Sequence, residues 1–323
     1  MARESVNVVQ QIAPETTPGT AVPADSRFAG LQFDIGEDLE TKQFKRMGAK
    51  SNTTSVIHKQ MVSGSYSGPM SYVEICYILA GLSPFTVTPG TAPSQDWAFT
   101  PNSEGSDPVK SFSLECGDDE AVEIYKYLII QNLDMSFTLD DMTINGNCFA
   151  QPTETGTLNT SGVAELSERP VGAREIDVFM DSTYANIGTT KVTDPFEATF
   201  SMGEKFQPKW VLNTDFSSWK ENKEMVPDTS LKIQGEHNSQ WRTLFGEIGS
   251  NPVKFFRVQA TGGEIVSGIN YLIQLDFCGK IQATQPQRDA DGIYAYDFTF
   301  GGHQEATMGR AYRWAVRNAL AAL

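Results

Sequence analysis

Carboxylates are the side chains of this chain best suited by type to catalysis. Asp118-Asp119-Glu120 and Asp140-Asp141 could supply the acid and base of a glycosidase. That chemistry needs two carboxyl groups about 5–10 Å apart across one cleft. Both clusters read better as charged turns between strands. Asp289-Ala290-Asp291-Gly292 begins like a calcium loop, but Gln287 stands two places before Asp289 and Phe298 stands where a closing glutamate belongs. A turn joining two strands explains it better. Ser63-Gly64-Ser65-Tyr66-Ser67-Gly68 has the glycine spacing of a nucleophile elbow, yet Tyr66 sits where serine is required, so it reads as a loop ahead of a helix.

Metal and phosphate chemistry find no better support. His58, His237 and His303 each lack a second His or a Cys at ligand spacing, and the last two read as surface or cap residues. Cys76, Cys116, Cys148 and Cys278 show no CxxC pair and read as reduced, mostly buried, small apolar residues. The glycine-rich phosphate loops are missing from the sequence. The sequon Asn52-Thr53-Thr54 matters only in a secreted chain, and Met1-Ala2-Arg3-Glu4-Ser5 has no apolar signal core after its charge. The residues therefore predict a non-enzymatic protein with no cofactor and no bound metal.

Attention then moves to the elements. With 323 residues the chain fits roughly two domains of about 150 each. Its 40 % apolar and 20 % charged content is that of a globular chain with a real core. No stretch approaches the ~20 apolar residues of a membrane span. A net charge of −15 argues against electrostatic attraction to nucleic acid, since neutralising phosphates takes Lys and Arg.

The chain also says the same thing twice. Gly19-Thr20, Ile35-Gly36-Glu37 and Phe44 are echoed by Gly188-Thr189, Met202-Gly203-Glu204 and Trp210. Val73, Cys76, Tyr77, Ala80 and Gly81 are echoed, 168 residues on, by Trp241, Leu244, Phe245, Ile248 and Gly249. A period of this size implies two tandem copies of one module. Residues 1–27 read as an irregular arm and 28–150 as the first module. Within it, 82–120 form a Pro-rich insertion with Pro84, Pro89, Pro93, Pro101 and Pro108. Residues 151–170 read as a linker, 171–304 as the second module, and 305–323 as a helical segment.

Within the first module, Leu31, Phe33 and Ile35 alternate as a half-buried strand, and the polar stretch 45–60 reads as a long loop or flexible hairpin. Ser71 and Glu74 stand at capping-box spacing ahead of a helix at 71–80 that Gly81 would stop. Leu133 to Leu139 alternate as a strand before a turn at Asp140-Asp141. The second module repeats the plan with a strand at Phe196–Met202, a polar loop at 211–228 and a helix at 239–248. Alternating strands follow at Ile269–Phe277 and Tyr294–Phe300. The predicted class is mainly β: two tandem β-sandwich or barrel modules, each with a flanking helix. Arg310, Arg313 and Arg317 make a basic stripe near the C-terminus, either a solvated face or a surface that docks on an acidic neighbour.

Pro18-Gly19-Thr20-Ala21, the strand after it and Ile35-Gly36-Glu37 resemble the start of the major tail proteins of long-tailed bacteriophages. So do Trp97-Ala98-Phe99-Thr100-Pro101 and Cys116-Gly117-Asp118. Val178-Phe179-Met180-Asp181-Ser182-Thr183-Tyr184, followed by Gly188-Thr189-Thr190, is similar to the second half of such proteins in phages of actinobacteria. The order of these weak motifs over most of the chain is the stronger signal. The family builds the tail tube from rings of six modules and is similar in fold to the tube of contractile secretion systems.

The resemblance implies a virion protein assembled in the host cytoplasm. Its partners would be further copies of itself, the tape measure protein and DNA in the lumen, and tail-tip and tail-terminator proteins at the ends. Three two-module chains would close a pseudo-hexameric ring, and head-to-tail stacking would grow a tube. Residues Lys50, Asn52 and His58 of the first polar loop and Asp215, Trp219 and Lys223 of the second are candidates for ring stacking. Glu37, Asp38, Glu40 and Glu204 are candidates for the lumen wall, and Arg310, Arg313 and Arg317 for contacts between chains. The competing readings are another β-rich phage assembly protein, a carbohydrate-binding protein, or a glycosidase.

Overall fold

Period-two alternation governs most of the chain, and the computed structural model, which describes residues 7–140, 142–212, 218–290 and 292–323, is built mainly of strands. The first half holds β1 (Val9–Pro14), β2 (Ser26–Arg27), β3 (Gln32–Phe44), β4 (Thr54–Pro69) and helix α1 (Ile75–Leu82). It continues with β5 (Phe85–Pro89), β6 (Gln95–Phe99), β7 (Phe112–Gly117), β8 (Val122–Ile130), β9 (Leu133–Phe137) and β10 (Met142–Ala150). Two short strands follow, β11 (Glu154–Gly156) and β12 (Ala164–Glu165). The second half holds β13 (Ile176–Asp181), β14 (Pro195–Met202), β15 (Phe206–Lys209), β16 (Glu221–Glu224), β17 (Thr229–Glu236) and helix α2 (Ser239–Gly246). It ends with β18 (Lys254–Val266), β19 (Ile269–Ala290), β20 (Ile293–Gly302) and β21 (Tyr312–Asn318). The class is the mainly β one expected, with one α-helix in each half.

The two halves run through the same order of antiparallel pairing. In the first, β1 pairs β7, β7 pairs β8, β10 pairs the end of β8 and all but the start of β9, β4 pairs β10, and β3 pairs β4. In the second, β13 pairs β18, β18 pairs the start of β19, β20 pairs its end, β17 pairs β20, and β14 pairs β17. Even the flanking strands match, with β11 on β8 and β21 on β19. Apolar side chains from both halves form one buried cluster.

The helices are buried to different degrees. Every residue of α1 is buried, whereas α2 buries Trp241 and Leu244 and leaves Phe245 partly exposed. The difference lies in what covers them. β6 lies against α1, Lys110 N–H donates to the Ala80 carbonyl, and Asn318 of β21 donates to the Tyr72 carbonyl and to Cys76 Sγ beside it. Gly81 does not stop α1, which runs on to Leu82; it allows close packing, since a Cβ there would stand 2.7 Å from Ile130 Cγ1. Asn238 caps α2 by accepting from the Gln240 and Trp241 N–H groups.

Several expected elements take another form. Residues 305–323 hold β21, not a helix: Tyr312, Trp314, Val316 and Asn318 alternate inward, and the strand is paired to both β19 and β6. Ser63–Gly68 lie within β4 rather than in a loop, because a Cβ at Gly64 would meet Asp34 O at 2.2 Å and only glycine admits that approach. Of the two forms expected for 45–60, a long loop or a hairpin, the hairpin is found: the stretch is the turn and returning strand of β3–β4. Within 211–228, Glu221–Glu224 form the second strand of the short β15–β16 hairpin, and 213–217 lie outside the described residues. The segment 151–170 pairs to the first half through β11 and β12 and buries Leu166. Within 82–120, β6 takes the chain's last strand as its neighbour and β7 has β18 as its counterpart in the pairing order.

Ser71 and Glu74 make no capping box. The Ser71 hydroxyl accepts from Val73 N–H, and the buried Glu74 carboxylate accepts from the N–H groups of Ala29, Gly30 and Leu31 at 2.6, 3.0 and 3.2 Å. It thereby fixes the entry of β3. Glu74→Ala strands three donors and is expected to lower stability by about 3 kcal/mol, with Glu74→Gln losing less. Urea denaturation followed by tryptophan fluorescence checks this.

Candidate assembly surfaces

Two strand junctions tie the halves together: β21 pairs β6, and β9 pairs antiparallel with β14, Leu133 opposite Met202 and Phe137 opposite Ala198. Leu133, Met135, Phe137, Ala198, Phe200 and Met202 are all buried. Just beyond, Lys205 N–H donates to the Gln131 carbonyl, prolonging the join.

Several strands, β5, β13 and the first part of β4 among them, are laddered on one side only among the described residues, and two such edges hold places equivalent to those of the β9–β14 junction. β3 pairs β4 alone, and residues 281–290 of β19 pair β20 alone. A side-chain amide marks where each open edge begins. Gln10 donates to the Phe33 carbonyl and accepts from its N–H, both at 2.7 Å. Asn251 does the same for Ile281, at 3.0 and 2.9 Å. Backbone groups alternate sides along an antiparallel strand, so Ile35, Glu37 and Leu39 turn theirs the same way as Phe33. Sequence reading missed both edges, since openness depends on what is absent alongside.

The β3–β4 hairpin is long and largely exposed at its far end. Lys50 and Asn52 sit in its turn and His58 on its returning strand, all exposed. Leu39, Phe44, Met47, Val56 and Ile57 are exposed with them. Lys59 pairs Glu40 at 2.7 Å, which holds that carboxyl below its usual pKa, and lies over the Trp210 ring. The candidate lumen acids do not share one face. Asp38 and Glu40 point away from the side of buried Phe33, while Glu37 lies on that side and accepts from Thr153 N–H. Glu204 is exposed and bonds Gln207.

Trp219 is corrected from a loop contact to a core residue. It is fully buried, its indole donates to the Ala150 carbonyl at 2.9 Å, and its ring packs on Tyr127 and Phe149. The large apolar ring wins over its polar neighbours in sequence. Lys223 is exposed on β16, and Asp215 lies outside the described residues. Beside this hairpin, buried Lys205 donates to the Leu82 carbonyl at 2.7 Å and to the Asp107 carboxylate, linking α1, the loop before β7 and the second half. An open cleft of about 990 Å³ lies over this pair, between residues 101–107 and 224–230.

The three arginines are also corrected: they are engaged within the chain. Asp276 of β19 is fully buried and accepts from Arg257 of β18 at 2.7 and 3.0 Å and from Arg313 of β21 at 2.9 and 2.7 Å. Arg317 bonds Asp96 of β6 at 2.6 Å, and Arg310 reaches the Pro101 carbonyl at 3.4 Å. The stripe staples the last strand into the sheet.

The chemical candidates occupy turns and stacks. Asp118 accepts from Glu120 and Ala121 N–H in the β7–β8 turn, and Asp289 accepts from Gly292 N–H in the β19–β20 turn. Asp140 stands before β10, while Asp141 and Asp291 lie outside the described residues. His237 stacks on Tyr294 and Tyr296, and His303 N–H donates to the Cys278 carbonyl. Among the described residues, His, Cys, Asp and Glu nowhere gather in threes as a metal site, and no helix is long and apolar enough to cross a membrane. All four cysteines are free, and burial pushes the thiols of Cys76, Cys148 and Cys278 up to about 12. No protein-family model matches the chain, and no curated protein matches its sequence.

Two outcomes follow from these contacts. Asp276→Ala leaves two guanidinium groups without their buried acceptor and is expected to destabilise by about 3–5 kcal/mol, measured by chemical denaturation. Iodoacetamide at pH 8 is expected to spare Cys76, Cys148 and Cys278 in the native chain and to reach them after unfolding, as mass spectrometry of the peptides would read.

Proposed function

We propose that the chain is a structural virion protein that polymerises into the tail tube of a long-tailed, non-contractile bacteriophage, a hollow conduit for DNA ejection. The observation that carries this reading is the repetition of one pairing order in two halves joined edge to edge by β9 and β14. Two like modules per chain make three chains a ring of six. Open edges at β3 and the end of β19 supply surfaces by which such a ring could close.

The charge agrees with a conduit. Three chains at −15 each would carry −45, and an acidic bore repels phosphate and suppresses the counterion release that binds DNA to basic surfaces. The exposed end of the β3–β4 hairpin suits stacking, since Leu39, Phe44, Val56 and Ile57 are each about half open to solvent. The tape measure protein would fill the bore before DNA, and tip and terminator proteins would end the stack.

One observation favours the second reading, a carbohydrate-binding protein. His237, Phe245, Tyr294 and Tyr296 form an aromatic group in which Phe245 and Tyr294 are partly exposed. Such faces stack on sugars. Glycan-array binding lost in Tyr294→Ala would favour that reading.

Electron microscopy of concentrated protein tests the tube directly. The expected result is tubes with a regular ring repeat whose rotational average holds three chains per ring; six identical chains would refute the stoichiometry. Deleting residues 48–57 removes the hairpin tip. The variant is expected to keep its circular dichroism and melting transition while forming no tubes, and normal tubes from it would remove the stacking role.

A further inference from the structure

Lysine is almost never fully buried without a partner, and Lys205 has two carboxylates beside it. Lys205 and Asp107 are both buried, 98 positions apart in sequence, and Lys205 Nζ donates to Asp107 Oδ2. Glu224 reaches both of them. Its Oε2 accepts from Asp107 N–H at 2.9 Å, and its Oε1 stands 3.9 Å from Lys205 Nζ. The β15–β16 ladder fixes this placement. Glu224 lies opposite Phe206, and Met225 N–H donates to the Lys205 carbonyl at 2.7 Å.

We propose that Lys205 Nζ and the Asp107 side-chain carboxyl condense, without an enzyme, into an isopeptide bond, with Glu224 carrying the proton. The bond ties the loop before β7 to the second half of the same chain. It goes beyond the tube reading and does not depend on it.

The step balances with no co-reactant. The lysine gives one proton to Oδ2 along their hydrogen bond, leaving a free amine and a carboxylic acid. Nζ then attacks Cγ, and the C=O electron pair moves onto Oδ1. Glu224 takes a proton from the new C–N nitrogen and passes it to Oδ2. The Cγ–Oδ2 bond breaks, one water leaves, and Glu224 is a carboxylate again.

The neighbours suit each part of this step. Asn102 N–H donates to Asp107 Oδ1 at 2.7 Å, where negative charge develops. The Leu82 carbonyl accepts from Nζ at 2.7 Å and fixes how the amine faces the carboxyl. Buried Leu82, Phe206 and Tyr312 stand nearby, and the open cleft gives the water an exit. Two groups held in this way react at effective molarities of about 10⁵ M and above, which offsets the cost of condensing in water. Condensation also removes two charges whose burial is costly. Asp107 has no rival partner in its own backbone, because Pro108 lacks the N–H that a cyclic imide would need.

Mass spectrometry of the full chain, denatured and reduced, tests the bond. The expected mass is one water below the sum of the residues. Trypsin is expected to leave 60–110 joined to 192–209, since an acylated Lys205 is not cut. Lys205→Arg is expected to release 60–110 on its own. Glu224→Gln keeps both reacting groups and is expected to stay unlinked while its circular dichroism remains native. A native chain at its full mass, with 60–110 and 192–205 released separately, would overturn the proposal, whatever the variants do. A link formed as fast in Glu224→Gln would overturn the part given to that carboxylate.

Discussion

The pairing of β9 with β14 is the contact on which the rest of the structure depends. It makes two halves, each with its own strand order, into one continuous sheet. Because Leu133, Met135, Phe137, Ala198, Phe200 and Met202 are buried along it, backbone hydrogen bonds and apolar burial act on the same few residues. A sheet extended in this way must end somewhere. Filling one side of β9 with β14 leaves the equivalent places, the outer side of β3 and the end of β19, open among the described residues.

Charged groups then hold the halves at fixed positions. Burying the Lys205 side-chain nitrogen without acceptors would be costly, and it has the Leu82 carbonyl and the Asp107 carboxylate. Asp276 is held between Arg257 and Arg313, so β18, β19 and β21 share one ionic centre. Asn318 completes the tie by accepting from the Trp97 indole and donating to Tyr72 and Cys76. Removing any of these costs more than an ordinary surface pair, because the partner left behind is buried or half-buried.

Much of the strand content was legible because one-sided burial imposes a period of two. The runs at Leu133–Phe137, Phe196–Met202 and Ile269–Phe277 show it plainly. At 45–60 the choice between loop and hairpin stayed open, because residues exposed on both faces feel no such period. At the C-terminus, the spacing of Arg310, Arg313 and Arg317 imitated a helix and hid the alternation of Tyr312, Trp314 and Val316. Trp219 was obscured by its polar neighbours. The roles of Glu74, Lys205 and Asp276 could not be read, since each is defined by partners at least 19 residues away in sequence. The 168-residue echo was visible as weak sequence likeness, but the common order of pairing is a property of the folded chain.

The open edges raise a problem that their composition addresses. A strand of 13 residues with an unpaired side is a template for any other strand, and soluble proteins blunt such edges with charge, proline or a bulge. Here β3 carries acids and β19 carries a proline at a register shift. Neither device covers the edge as a helix would. Each makes self-pairing unfavourable while leaving the ladder accessible to the other edge. On this argument specificity lies in what each edge excludes, since the backbone bonds it offers are ones any two strands could make.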